Sequence, residues 1–124
     1  MRVLIAGGPK TGKTTLSKEY TECLVRHTDD LISLDWNGQS AEVARWLDKP
    51  GPWVIEGCAV VRGLRKWLRS HREGLPFDKL IYLTKPLAEN TYWQRVMAIG
   101  TRTIWNEISP LIAQRNVKHV IEFR

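Results

Sequence analysis

The sequence is poor in cysteine and has no long apolar run, and each shortage excludes a class of protein. Its 124 residues contain two cysteines, Cys23 and Cys58, which show no metal-ligand spacing. We therefore expect reduced thiols in a cytoplasmic protein rather than a disulfide framework. No apolar stretch approaches the roughly 20 residues that cross a bilayer, and the run Val3–Ile5 is too short for a signal peptide. We expect no membrane partner.

Acidic residues are also few compared with basic ones. Thirteen Asp and Glu stand against nineteen Lys and Arg, which gives a formal net charge of +6 at pH 7. This surplus favours anionic partners such as nucleotides or nucleic acid, although it is also common in proteins that are simply soluble. The length supports a single domain, residues 1–124, near the minimum size for a sheet covered by helices.

Short apolar runs alternate with helical patterns along the chain. Strands are predicted at Arg2–Ala6, within Leu24–Thr28, and at Trp53–Glu56, Asp78–Thr84 and Val117–Phe123. A first helix is predicted after Gly12, and its one apolar face is formed by Leu16, Tyr20, Cys23, Leu24 and His27. A second helix is predicted from a Ser40 cap to about Asp48, and a third at Val60–His71. The last helix is predicted from about Asn90 towards Gln114, with a break near Gly100. The alternation predicts an α/β fold: a three-layer α/β/α domain with a five-stranded parallel sheet covered on both faces.

A glycine-rich loop lies between the first strand and the first helix. The stretch GGPKTGKTT satisfies the Walker A pattern G-x-x-x-x-G-K-[ST], in which backbone N–H groups at a helix N-terminus cradle phosphate. Lys13 is expected to neutralise the β- and γ-phosphates, and the Thr14 hydroxyl to bind Mg²⁺. For Lys10, phosphate contact and plain solvent exposure are equally good expectations. The predicted phosphate-binding residues are Gly7, Gly8, Pro9, Lys10, Thr11, Gly12, Lys13, Thr14 and Thr15.

Acidic residues follow two of the predicted strands. In open α/β sheets, ligands bind beyond the carboxyl ends of the strands. Asp29 is predicted to accept the proton of an acceptor hydroxyl, while Asp30 is expected to cap the following turn. Glu56 is predicted to support magnesium, directly or through water, because a carboxylate after a buried strand needs a cation or solvent.

Basic and aromatic residues indicate where an acceptor could bind. Arg62 and Arg65 begin a basic stripe on the helix after Glu56 and are predicted to contact the acceptor, whereas Arg69 and Arg72 are expected to form a solvated face. Val61, Leu64 and Leu68 take the opposite side. All six tryptophans are expected to pack, although Trp36 and Trp93 could stack on a base and a homodimer contact is a further alternative.

The loop GGPKTGKTT, the TDD after the second strand and the segment WVIEGCAVVRGLR resemble the P-loop kinases of the P-loop NTPase superfamily. The closest similarity is to phage-type polynucleotide 5′-hydroxyl kinases, with shikimate and gluconate kinases more distant. The resemblance implies the sheet order 2-3-1-4-5, Asp29 as general base, an acidic residue at Glu56, and ATP as the donor. If the protein is phage-encoded, its location is the host cytoplasm.

The resemblance also implies a lid, which we place around residues 95–103. There Arg95 and Arg102 are the candidates to neutralise the transferring phosphoryl group. The family's segment that contacts the nucleobase after the fifth strand has no counterpart, so the base pocket is expected to be incomplete or built differently.

Together these features predict a magnesium-dependent kinase. It would move the γ-phosphoryl group of ATP or another nucleoside triphosphate to a hydroxyl or phosphate acceptor, such as a nucleotide, a nucleoside or a nucleic acid end. Two alternatives stay open, namely a nucleotide hydrolase and a nucleotide-binding regulatory module with little turnover. A Walker B strand ending in Asp-Glu is not evident, which weighs against the hydrolase.

Overall fold

The predicted alternation of strands and helices is confirmed. The computed structural model of the protein describes residues 1–124. In chain order, the elements are β1 (Arg2–Gly7), α1 (Lys13–Ser17), β2 (Leu24–His27), a 3₁₀ turn (Thr28–Leu31), α2 (Trp36–Leu47), β3 (Trp53–Glu56), α3 (Val60–Ser70), β4 (Lys79–Leu83), α4 (Tyr92–Arg115) and β5 (Val120–Phe123). None of the helices is both long and apolar enough to cross a bilayer.

The five strands form one parallel sheet in the order β2-β3-β1-β4-β5, which confirms the predicted sheet. In the register, Glu56 at the end of β3 lies between Ile5 of β1 and His27 of β2. All carboxyl ends therefore meet at one edge of the sheet. The first loop, the 3₁₀ turn after β2 and the loop after β3 all start from that edge.

The helices cover the two faces of the sheet unequally. The connection from β1 to β2 runs towards one edge of the sheet, and the three later connections run the other way. Because parallel crossovers are right-handed, α1 lies on one face and α2, α3 and α4 on the other. The larger core of 21 buried residues is on the three-helix face, while a core of five packs with Leu16 and Tyr20 on the α1 face. Of the three predicted layers, the helical layer on the α1 face is therefore thin.

Helix α1 is shorter than predicted. It ends at Ser17, so Cys23, Leu24 and His27 do not share a helical face with Leu16. The Ser17 hydroxyl donates to the carbonyl of Thr14 at 2.6 Å, a local bond that competes with helix continuation. Residues 24–27 instead pair with β3, because strand pairing satisfies their backbone groups.

Helix α2 begins earlier than predicted. Its N-cap is Asp35, whose carboxylate accepts the Gly38 backbone N–H at 2.7 Å. Ser40 lies inside the helix, where its hydroxyl donates to the Trp36 carbonyl at 2.8 Å. Both residue types cap helices well, so the pattern alone did not distinguish them. Val43 and Leu47 are buried in the larger core.

Helix α4 is continuous, and the predicted break at Gly100 is wrong. Residues 95–103 are helical rather than a lid loop. A glycine costs a helix only about 1 kcal/mol, whereas Ile104, Trp105, Ile108 and Ile112 are buried beneath the second half and hold it on the sheet. The helix starts at Thr91, which forms a capping box with Gln94.

Packing of α3 agrees with its predicted amphipathic pattern. Val61, Leu64 and Leu68 are buried, while Arg69 and the nearby Arg72 are exposed. The tryptophan expectation is confirmed in part, since four are buried: Trp46, Trp53, Trp67 and Trp105. The other two are exposed, Trp36 by 47% and Trp93 by 74%, so the expectation that they pack is wrong. Both begin helices at the carboxyl edge of the sheet, where no further layer covers them.

Candidate functional site

The loop between β1 and α1 has a backbone that needs glycine. Gly12 has φ of 92°, and Gly7 has φ of 149° with its ideal Cβ only 2.6 Å from the carbonyl oxygen of Leu83. An L side chain would strain both positions. Lys10 also has a positive φ, 61°. Gly12 in this conformation precedes Lys13, so the helix N-terminus points its free N–H groups towards the loop.

Lys13 is folded into the loop. Its side chain is buried, and Nζ donates to the Gly8 carbonyl at 2.5 Å and to the Thr11 hydroxyl at 3.2 Å. Neither partner carries a charge. A buried ammonium group favours a nearby anion strongly, so the centre of the loop is a site for negative charge.

Glu56 brings a carboxylate to the same place from β3. It is 2% exposed, and its Oε1 accepts from the Thr14 hydroxyl at 3.2 Å and lies 2.6 Å from His27 Nδ1. Oε2 takes part in neither contact. These bonds stabilise a carboxylate that would otherwise be costly to bury. They also fix Glu56 beside the predicted magnesium ligand Thr14.

Gly57 brings the ends of β2 and β3 together. Its φ is 141°, and an ideal Cβ would lie 1.7 Å from the hydroxyl oxygen of Thr28. The same hydroxyl accepts from the Ala59 backbone N–H at 3.5 Å. Only a residue without a side chain permits this approach, which sets the 3₁₀ turn carrying Asp29 against the loop after Glu56.

These parts line one cavity of about 350 Å³. Asp29 lies in its wall and Asp30 does not. The 3₁₀ turn has no side-chain cap, so the expectation that Asp30 caps it is wrong. The cavity therefore combines seven residues of the glycine-rich loop with carboxylates from two neighbouring strand ends. Its lining consists of Pro9, Lys10, Thr11, Gly12, Lys13, Thr14, Thr15, Asp29, Glu56, Cys58, Gln94 and Met97.

No protein-family model matches the chain, and no curated protein matches its sequence. A functional assignment therefore depends on the chemistry of this cavity.

Neither predicted lid arginine lies in the cavity. Arg95 is exposed, and its guanidinium donates to the Asn90 carbonyl at 2.8 Å. Arg102 is exposed and lines a second cavity of about 300 Å³, which shares Pro9 and Thr11 with the first. In a continuous α4, these two residues lie on other sides of the helix from the one that faces Asp29 and Glu56.

The two predicted acceptor arginines have different partners. Arg65 pairs with Glu107 at 3.0 Å, so its charge is compensated. Arg62 is half-buried and stacks on Trp36, 4.5 Å from the ring centre. Burial, and then the charge of Arg65, lower the pKa of Arg62. Arg62 is thus the member of the basic stripe that is held by an aromatic ring instead of a carboxylate.

Three lining residues escaped the sequence analysis, namely Cys58, Gln94 and Met97. Burial raises the pKa of the Cys58 thiol, and the charge of Lys13 opposes that effect. Cys58 follows Glu56 by two residues, a proximity that the sequence contained. Gln94 and Met97 share a helix face, but only the packing of α4 shows which face meets the loop.

Thr14 and Glu56 are suitable magnesium ligands. Both offer hard oxygen donors, and Mg²⁺ in proteins takes one or two such ligands together with waters and substrate phosphates. No cluster of three His, Cys, Asp or Glu side chains suited to a metal is present. The pair therefore fits a magnesium ion that arrives with a phosphate chain, and does not fit a site built by protein ligands alone.

Proposed function

We propose that the protein is a magnesium-dependent phosphotransferase related to the P-loop kinases. It moves the γ-phosphoryl group of ATP, or of another nucleoside triphosphate, to a hydroxyl or phosphate acceptor. The observation that carries the proposal is the single cavity of about 350 Å³ in which the Lys13 loop meets Asp29 and Glu56. Phosphoryl transfer requires these groups together: anion donors, a metal ligand and an acceptor base.

The donor's phosphates bind in the loop. Backbone N–H groups at the start of α1 donate to phosphate oxygens, and Lys13 exchanges its carbonyl and hydroxyl partners for the phosphate charge. Thr14 and Glu56 would hold magnesium, which when bound would neutralise charge on the phosphate oxygens. The contact with His27 keeps the Glu56 side chain oriented towards Thr14.

Asp29 accepts the acceptor's proton. It is the second residue after β2, and as an exposed residue in the cavity wall it is open to an incoming hydroxyl group. Gly57 holds its turn close to Glu56, so the base and the metal ligand act on the same group. The hydroxyl proton passes to this carboxylate as the acceptor oxygen forms its bond to the γ-phosphorus, while the bond from that phosphorus to the β,γ-bridging oxygen breaks and the nucleoside diphosphate leaves.

The acceptor approaches from the side of α3. Arg62 and the exposed part of Trp36 lie next to the start of that helix, and they suit an acceptor that carries negative charge or an aromatic base. A nucleotide, a nucleoside or a nucleic acid end has this chemistry. Arg65 is paired with Glu107 and contributes less.

The test is product analysis with radiolabelled ATP, Mg²⁺ and a panel of nucleosides, nucleotides and 5′-hydroxyl oligonucleotides. Label on an acceptor supports the kinase, release of phosphate alone supports a hydrolase, and tight binding with neither supports a regulatory module.

Asp29→Ala should lower transfer about 10²- to 10⁴-fold and spare ATP binding, because general base catalysis contributes that much. Asp30→Ala is the matched control, because Asp30 is adjacent to Asp29 in the chain but does not line the cavity. Lys13→Ala should weaken both binding and transfer. Equal activity of the two aspartate variants would contradict the assignment of Asp29.

A further inference from the structure

The segment that leads from β4 into α4 is tied to the glycine-rich loop. Lys10 accepts the Leu87 backbone N–H at 2.7 Å and donates from Nζ to the Glu89 carbonyl at 3.0 Å. In the second turn of the helix, Ala98 lies so close to Gly8 that an ideal Cβ on the glycine would be 2.9 Å from the alanine Cβ. These contacts fix the rotation and height of α4 above the loop.

This placement brings Gln94 to the cavity instead of its neighbour Arg95. Gln94 is half-buried in the cavity wall, on the same helix face as Met97. The guanidinium of Arg95 points to the Asn90 carbonyl instead. Gln94 is therefore the polar side chain that α4 contributes beside Lys13 and Asp29.

The capping box determines which end of the Gln94 amide is available. Its Oε1 accepts the Thr91 backbone N–H at 2.9 Å, while the Gln94 N–H donates to the Thr91 hydroxyl at 3.3 Å. A backbone N–H can only donate, so the amide oxygen must face Thr91. The Nε2 group, which carries two N–H donors, is left for another acceptor.

We propose that Gln94 Nε2 donates a hydrogen bond to the phosphoryl group in transfer, and that it fills the role expected of a lid arginine. This inference rests on the proposed function. Lys13 approaches the phosphoryl group from the loop and Gln94 from α4, so donors surround the group on two sides. Because Gln94 is uncharged, it leaves the cavity's positive charge to Lys13, Lys10 and the metal.

Binding at Gln94 also couples the phosphate to the start of α4. The same side chain caps the helix and faces the cavity, so a bound phosphate holds Thr91 and Gln94 in place. Glutamate at this position can complete a capping box but has no N–H to donate. The pair Gln94→Glu and Gln94→Ala therefore separates capping from phosphate binding.

The experiment compares wild type, Gln94→Glu and Gln94→Ala, with Gln114→Ala as the control from the far end of α4, where the side chain is exposed. Thermal unfolding, affinities for ATP and ADP, and the kcat and kcat/KM of transfer are measured for each. Gln94→Ala should lower Tm by about 2–6 °C and Gln94→Glu should restore it, because only the alanine breaks the capping box.

For phosphoryl transfer, we expect a different order of the variants from the one for thermal stability. Both Gln94 variants should lose about 10- to 100-fold in kcat/KM, since a hydrogen bond to a charged group is lost. The part of that bond already made to bound ATP appears as a lower ratio of ATP to ADP affinity, and the part made only in the transition state appears as a lower kcat. Gln94→Glu should be at least as impaired as Gln94→Ala, because it adds negative charge. Gln114→Ala should resemble wild type.

Two results would overturn the inference in different ways. If wild type transfers phosphate and Gln94→Glu does so equally well, Gln94 is only a helix cap and the proposed function stands. If wild type neither binds ATP nor labels any acceptor, both the inference and the proposed function are wrong.

Discussion

Replacement of Gly57 by alanine tests how the site is assembled, and it does so without assuming any activity. The new Cβ would lie 1.7 Å from the Thr28 hydroxyl oxygen, and the residue would have to keep a φ of 141°. An unfavourable backbone conformation costs about 1–3 kcal/mol, and forcing one methyl group into packed structure costs about 1–3 kcal/mol more. We expect a loss of about 2–6 kcal/mol in the free energy of unfolding, a large share of the 5–15 kcal/mol typical of a domain.

Gly74→Ala is the matched control. Its φ is also positive, 80°, but no atom lies within 4 Å of the ideal Cβ. The control therefore reports the backbone cost alone, about 1–3 kcal/mol. Urea unfolding followed by circular dichroism gives both free energies, and Gly57→Ala should exceed Gly74→Ala by about 1–3 kcal/mol.

Gly57→Ala should also increase the distance between the carboxylates of Asp29 and Glu56. Relief of the clash moves Thr28, and with it the turn that holds Asp29, away from Glu56. Phosphoryl transfer should then fall more than ATP binding, because the glycine-rich loop is untouched. Stabilities of the two variants within about 0.5 kcal/mol of each other would refute the close approach on which this reasoning depends.

Three further predictions concern packing, the cavity and pH. Gly63→Ala should cost about 1–3 kcal/mol because its Cβ would lie 2.2 Å from Val43, and Val43→Ala in the same chain should recover part of the loss; no recovery in urea unfolding would contradict this contact. Iodoacetamide should alkylate Cys58 slowly near neutral pH, since burial raises its pKa, and ATP with magnesium should slow the reaction further; mass spectrometry showing equal labelling with and without nucleotide would place Cys58 outside the phosphate cavity. The Arg2 backbone N–H in β1 holds the pKa of Asp78 below its usual 3.8, so its stabilisation is present above that value and lost as pH falls through the lower folded pKa; because the side chain is 45% exposed and screened by solvent, Asp78→Asn should cost at most about 1 kcal/mol at neutral pH, the cost should shrink as urea titrations move to acid pH, and a constant difference would be inconsistent.

Much of the fold could be predicted from local patterns. Apolar runs such as Val3–Ala6 and Trp53–Ile55 are buried strands, and the β/α alternation leads to a parallel sheet. Helix ends were harder to predict. Asp35 and Ser40 are equally good N-caps, and Gly100 is compatible both with a helix break and with a continuous helix. Where a helix begins or ends depends on which of its residues pack against other segments of the chain.

The residues of the candidate site also fall into two groups, those that the sequence predicted and those that depend on packing. Asp29 and Glu56 were expected at the cavity because strand ends in a parallel sheet share an edge, a rule that needs no side-chain detail. Arg95 was expected there and Gln94 was not, although they are adjacent in the chain. Which of two neighbours faces inward depends on the rotation of α4, and contacts with Lys10 and Gly8 determine that rotation.

Three features could be read from the amino-acid sequence: the glycine-rich loop, the order of strands and helices, and the acidic residues that follow the strands. These features are contiguous, so backbone sterics and local hydrogen bonding are enough to specify them. Three other features became visible only in the folded chain: Gly57 packs against Thr28, Gln94 instead of an arginine faces the loop, and Trp36 stacks on Arg62 without a carboxylate partner. Each of these depends on close packing between segments far apart in the chain, and no local pattern encodes such distances.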